Sequence, residues 1–144
     1  MTTRAQMSEF AEHEGGHTKL MRAALEGDME TVKKLLESGA DPNERDDEGR
    51  TALMFAVTNM QTDAVKLLLD HGADVNATAH DGGTALMLAA SSGDSKIVRA
   101  LLSKGAHVSG KFTMTGKTAL MLAREKDYSE IAKLLQAAGA KDNK

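Results

Sequence analysis

Thr51-Ala52-Leu53-Met54 returns as Thr84-Ala85-Leu86-Met87 and again as Thr118-Ala119-Leu120-Met121, and a degenerate copy, Thr18-Lys19-Leu20-Met21, precedes all three. The copies begin at 18, 51, 84 and 118, steps of 33, 33 and 34 residues. A second marker keeps the same step: Gly39-Ala40-Asp41, Gly72-Ala73-Asp74, Gly105-Ala106-His107 and Gly139-Ala140-Lys141. Two separate markers in phase identify an internal repeat, whose units bury their apolar faces against neighbours of the same kind.

Each unit reads as two short helices. The threonine can cap the first, since its hydroxyl accepts an amide that the opening turn leaves unpaired. The apolar residues after it, such as Leu53, Met54, Ala56 and Val57, recur at helical spacing. A second helix follows in Val32, Leu35 and Leu36, in Val65, Leu68 and Leu69, and in Ile97, Val98, Leu101 and Leu102. Asp28 and Asp94 are placed to cap its start. Gly39, Gly72, Gly105 and Gly139 suit the left-handed residue just past its end, and Gly49, Gly82 and Gly116 suit tight turns in the loops between units.

Period and wording resemble the ankyrin repeat, whose common form reads Thr-Pro-Leu-His and closes with Gly-Ala-Asp-Val-Asn. Here Ala or Lys stands for the proline and Met for the histidine in every copy. The resemblance covers about residues 13 to 141 and implies an all-α fold, a solenoid of stacked helix-turn-helix units joined by β-turn or hairpin-like loops. The expected organisation is one domain, 1–144, with repeats at about 13–45, 46–78, 79–111 and 112–144. Residues 3–12, with Met7, Phe10 and Ala11 on one face, are expected to form a helix covering the first repeat. End repeats should be more polar where no neighbour covers them. Accordingly Gln136 stands where Leu36, Leu69 and Leu102 stand in other copies, and Arg22 stands where Phe55, Leu88 and Leu122 do. Met21, Met54, Met87 and Met121 read as packing between repeats, because thioethers fill irregular gaps.

Composition excludes several classes of function. The 144 residues carry a net charge of -3, so no global basic field draws in nucleic acid or membrane. There is no cysteine, which removes disulfides, thiolate metal sites and cysteine nucleophiles. The sequence shows neither a signal-peptide pattern nor a run of 18 apolar residues, and it reads as soluble and cytoplasmic.

Two stretches imitate catalytic motifs. His13-Glu14-Gly15-Gly16-His17 matches the zinc-protease string H-E-x-x-H, which needs a helix to bring both histidines to one ion. Gly15 and Gly16 oppose a helix, by about 2 kcal/mol relative to alanines, and the register puts them in a turn. Gly110 to Thr118 imitates a phosphate-binding loop, but five residues separate Gly110 from Gly116 where four are required, and a helix precedes it instead of a strand. Neither supports an enzyme, a metal site or a cofactor.

The resemblance implies a module that binds another protein through its loop tips and the concave face of its inner helices, as a small adaptor or inhibitor, monomeric when unbound. A structural subunit or stabiliser of a larger complex is the alternative within that class, and a metal-dependent enzyme through His13 and His17 is the alternative outside it. Carried over by position, the contact residues are Asp47, Glu48, Arg50, Thr58 and Asn59 in the second repeat and His80, Asp81, Ser91 and Ser92 in the third. In the fourth they are Met114, Lys117, Glu125 and Lys126, and Phe112 joins them as a large apolar residue of the enlarged loop. Residues 41–50 hold five acids against Arg45 and Arg50. Residues 107–117 hold Lys111 and Lys117, no acid, and the extra residue of the longer step. Phe112 and Met114 either form an apolar contact surface at that loop or fold back on the last repeat. Asn76 resembles the site that asparaginyl hydroxylases modify in such repeats, and equally a turn residue bonded to nearby backbone.

Overall fold

The computed structural model describes residues 15–141, so the helix expected over 3–12 lies outside the described residues. Among those described there are eight α-helices and no strand, and Lys111 and Thr118 form an isolated antiparallel bridge. The chain divides into two compact units, Met1–Asp74 and Val75–Lys144.

The first unit holds α1 (Lys19–Glu26), α2 (Met29–Glu37), α3 (Ala52–Thr58) and α4 (Thr62–Asp70). Thr18 and Thr51 take extended backbone angles, and their hydroxyls accept the amides of Met21 and Met54 at 3.1 and 3.4 Å. At Thr18 the cap is reciprocal, because the Thr18 amide points at Met21 Sδ, 3.3 Å away. Methionine at this position therefore supplies a weak acceptor as well as bulk. Asp28 caps α2 through the amide and hydroxyl of Thr31. Helices this short do not hold alone in water, so packing must complete them. α1 lies against α2 and α3, and α4 against α3 and α2. Ala24, Val32, Ala56, Val57, Ala64, Val65 and Leu68 are wholly buried.

The second unit repeats the plan with α5 (Ala85–Ser92), α6 (Ser95–Ser103), α7 (Ala119–Glu125) and α8 (Ser129–Ala137). Thr84 and Thr118 cap α5 and α7 through Met87 and Met121, and Asp94 caps α6 through Ile97. α5 packs on α6 and α7, and α8 on α7 and α6. Ala89, Ala90, Ile97, Val98, Leu101, Ala123 and Leu135 are wholly buried. Three of the four repeat methionines, Met21, Met54 and Met87, are buried as the packing reading requires, and Met121 is half-buried.

Within each unit one asparagine fastens the end of one repeat to the end of the next. Asn43 donates to the carbonyl of Gly72 at 3.0 Å and accepts the amide of Asp74 at 2.6 Å. Asn76 does the same to Gly105 and His107, at 3.1 and 2.8 Å. Asn76 thus bonds backbone some thirty residues away.

The joint between the two helices of each repeat is a left-handed residue, and the units solve it twice over. Gly27 and Gly93 occupy it in the first and third repeats, Met60 (φ 53°) and Asp127 (φ 59°) in the second and fourth. The glycines answer a close approach. A Cβ on Gly27 would stand 2.1 Å from Gln61 Oε1, and one on Gly93 would stand 2.7 Å from the Tyr128 ring. Gln61 and Tyr128 start α4 and α8 without a side-chain cap, where Asp28 and Asp94 cap their counterparts. Each gives up a cap and lies flat on the preceding glycine. Gly93→Ala should therefore cost about 2–4 kcal/mol in urea unfolding, the left-handed penalty plus the clash. Combining it with Tyr128→Ser should recover the steric part and leave only the backbone part.

Candidate functional site

The expected contact residues fall on two sets of loop tips and helix ends, one in each unit. In the first unit the loop before α3 is organised by Asp46, whose side chain is inaccessible to solvent. Its Oδ1 accepts the amides of Glu48 and Arg50 at 3.0 and 2.8 Å, and its Oδ2 lies 2.8 Å from Arg50 Nε. His17 Nε2 stands 3.3 Å from the same Oδ2 and 3.4 Å from Arg50 Nη2. The Arg50 guanidinium stacks 4.9 Å above the Phe55 ring, and His17 meets that ring edge-on at 5.5 Å. Arg50 is thus held by a carboxylate and an aromatic face of its own chain. The acidic character read over 41–50 survives on Asp41, Glu44, Asp47 and Glu48, which are exposed, whereas Asp46 is internal and neutralised.

Asp46 ionises at lower pH than an ordinary aspartate. Burial opposes its charge, and the amides of Arg50 and Glu48 together with the Arg50 guanidinium outweigh that burial. A carboxyl lowered on folding contributes stability that is full above its unfolded value, near pH 4, and is lost as pH falls through the folded value. Asp28, lowered by its bonds to Thr31, acts in the same direction. Asp46→Asn should cost about 1–2 kcal/mol at neutral pH. Its melting temperature should also fall less than that of the wild type between about pH 5 and pH 3, the range spanning the unfolded carboxyl value, because the contribution of Asp46 to the acid limb is then removed.

Asp47 is exposed, and its amide donates to Gly15 at 2.8 Å. Thr58 is exposed. Asn59 ends α3 and donates to the carbonyl of Leu25 at 2.6 Å, tying the ends of α3 and α1 together.

In the second unit the loop from Gly110 to Lys117 is fastened at several points. Its own hairpin closes through Phe112 N–H to Lys117 O and Gly116 N–H to Phe112 O. The Thr113 amide donates to Asp81 O at 2.9 Å, and the Asp81 carboxylate in turn accepts the Gly83 amide. Phe112 is half-buried, with its ring over Gly83, where a Cβ would meet it at 2.9 Å. It rests on the loop of the preceding repeat. Met114, two residues on, is 92 % exposed. The structure therefore separates a pair that the sequence treats as one. Thr113, absent from the expected contact set, is what pins the loop, and its neighbourhood to an inserted residue is the sequence signal that would have found it.

The remaining residues are partly engaged within the unit. Lys117 Nζ lies 2.8 Å from a Glu125 carboxylate oxygen, and Lys126 Nζ donates to Ser91 O at 3.0 Å. His80 is exposed, and Ser92 is half-buried at the end of α5. The positive excess of the loop consequently rests on Lys111.

Neither catalytic lookalike has the geometry its motif needs. Gly15 and Gly16 have φ of 67° and 71°, incompatible with a helix through them, while His13 and Glu14 lie outside the described residues. Thr118 spends its hydroxyl on the Met121 amide, and Lys117 its ammonium on Glu125. Among the described residues no three His, Asp or Glu gather into a metal-binding group, and no helix is long and apolar enough to cross a membrane.

Two substitutions separate the roles of the loop's apolar residues. Phe112→Ala should lower stability by about 1–2 kcal/mol through lost apolar burial, and Met114→Ser should stay within about 0.5 kcal/mol of the wild type. Urea unfolding of both variants provides the check.

A comparison with family models matches the chain to ankyrin repeats (3 copies), over residues 20–111 and 78–144. A search of curated proteins returned no match.

Proposed function

Since this chain belongs to the ankyrin repeat family, whose repeats generally mediate binding between proteins, we propose that it is a small adaptor or inhibitor. It would grip a folded partner with the Gly110–Lys117 loop as its leading contact and would perform no chemistry itself. The observation that carries this reading is Met114: a large apolar side chain, 92 % exposed, on a loop that backbone bonds and the Phe112 ring hold in one shape. An apolar side chain left in water on a rigid loop is a contact point made in advance, because little freedom remains to be lost on binding. Lys111 beside it favours a partner whose receiving pocket is rimmed by acids, which raises the association rate more than the affinity. Asp47, Glu48, Thr58 and Asn59 in the first unit, and His80, Asp81, Glu125 and Lys126 in the second, are the exposed members of the wider contact set. Arg50, Asn59, Asp81, Lys117, Glu125 and Lys126 shape that surface through the intrachain bonds described above.

The test is affinity capture from an extract of the source cells, with wild type and Met114→Ser as paired baits. A partner retained at least tenfold better by the wild type, with equal melting temperatures for the two baits, is the expected result. A partner held equally by both would remove the loop from the binding surface.

A further inference from the structure

Asn43 and Asn76 perform one operation at two successive places. Each donates to a carbonyl and accepts the amide two residues later, Gly72 and Asp74 for the first, Gly105 and His107 for the second. A primary carboxamide is suited to this, since it carries a donor and an acceptor side by side in one plane. The next pair in the series is the carbonyl of Gly139 and the amide of Lys141. The turn that presents it is built like the one before: Gly139 N–H to Gln136 O and Ala140 N–H to Leu135 O match Gly105 N–H to Leu102 O and Ala106 N–H to Leu101 O.

The residue that should reach this pair is Ser109, where the first two copies have asparagine. A hydroxymethyl group is one bond shorter than the carboxamide side chain of asparagine and ends in one polar atom where the carboxamide has two. No described residue bonds the Gly139 carbonyl or the Lys141 amide. In front of them lies a hollow of about 300 Å³ lined by Val108, Ser109, Thr118, Gly139, Ala140 and Lys141. Its volume is at the lower end of what small-ligand sites enclose, enough for a side chain and the backbone that bears it.

We propose that this hollow receives a primary carboxamide from outside the chain, the side chain of an asparagine or glutamine on a partner polypeptide. The assignment rests on reading the chain as a protein-binding module, and it adds the chemistry of one contact. Recognition is two-sided: a carboxylate cannot donate to Gly139, and an ammonium cannot accept from Lys141. Val108 supplies the apolar wall against which the methylene of the incoming side chain rests.

The test needs no partner. The full chain, labelled with ¹⁵N, is titrated with N-acetyl-asparagine N-methylamide while the Lys141 amide resonance is followed. A saturable shift in the millimolar range is expected, as befits a small probe making two hydrogen bonds, with a several-fold smaller shift from the aspartate analogue. Ser109→Asn supplies the carboxamide from within, so it should abolish the response and raise the melting temperature by about 4 °C. A Lys141 amide that does not move, or that moves equally in Ser109→Asn, overturns the proposal. Either result leaves the Met114 contact to be judged by its own capture experiment, so the two readings fail separately.

Discussion

A helix of seven to nine residues does not persist in water, because the cost of its first turn is spread over too few bonds. Everything else in this chain follows from meeting that deficit with contacts one repeat away. The hydrogen bonds that leave a repeat connect residues separated by about one period: Asn59 to Leu25, Asn43 to Gly72, Asn76 to Gly105, and Lys126 to Ser91. Buried alanines at 23, 56, 89 and 123 keep the same step and let helices approach closely. Within each unit the two repeats accordingly stabilise one another, through side chains whose spacing is fixed by the period.

This coupling explains why the repeats are not identical. Gly27 and Gly93 are required because Gln61 and Tyr128 of the following repeat lie on them, and those two residues occupy positions where Asp28 and Asp94 act as caps. A side chain at one joint is thus chosen partly by the residue one period earlier. Met60 and Asp127 accept a backbone conformation that glycine would adopt without strain. The alternation is a property of adjacent repeats taken together, and a consensus taken position by position would erase it.

The fold was legible in the sequence because its determinants recur. The threonine caps, the Asp28 and Asp94 caps and the glycines after the outer helices all sit where the 33-residue step places them. What was not legible depends on events that occur once. Asp46 counts as one more acid in an acidic stretch until the structure shows Arg50 and His17 closing over it. Phe112 and Met114 are alike in hydropathy, and only the proximity of Gly83, three tens of residues earlier, decides that one ring is covered and the other side chain is not. The Asn43 and Asn76 bridges lay between these cases. Their recurrence was visible in the sequence, but their reach to the next repeat was not.

The inserted residue in the longest period shows how such a frame generates function without new architecture. Lengthening a loop normally adds freedom, and freedom must be given up again on binding. Here the longer loop is tied back by Thr113 to Asp81, by Phe112 to Gly83 and by its own hairpin bonds. The surplus length is converted into a fixed projection that carries Met114 away from the body of the second unit. A loop of equal length without Thr113 or Phe112 would present the same side chain from many positions, and most of its contact energy would go into restoring one of them.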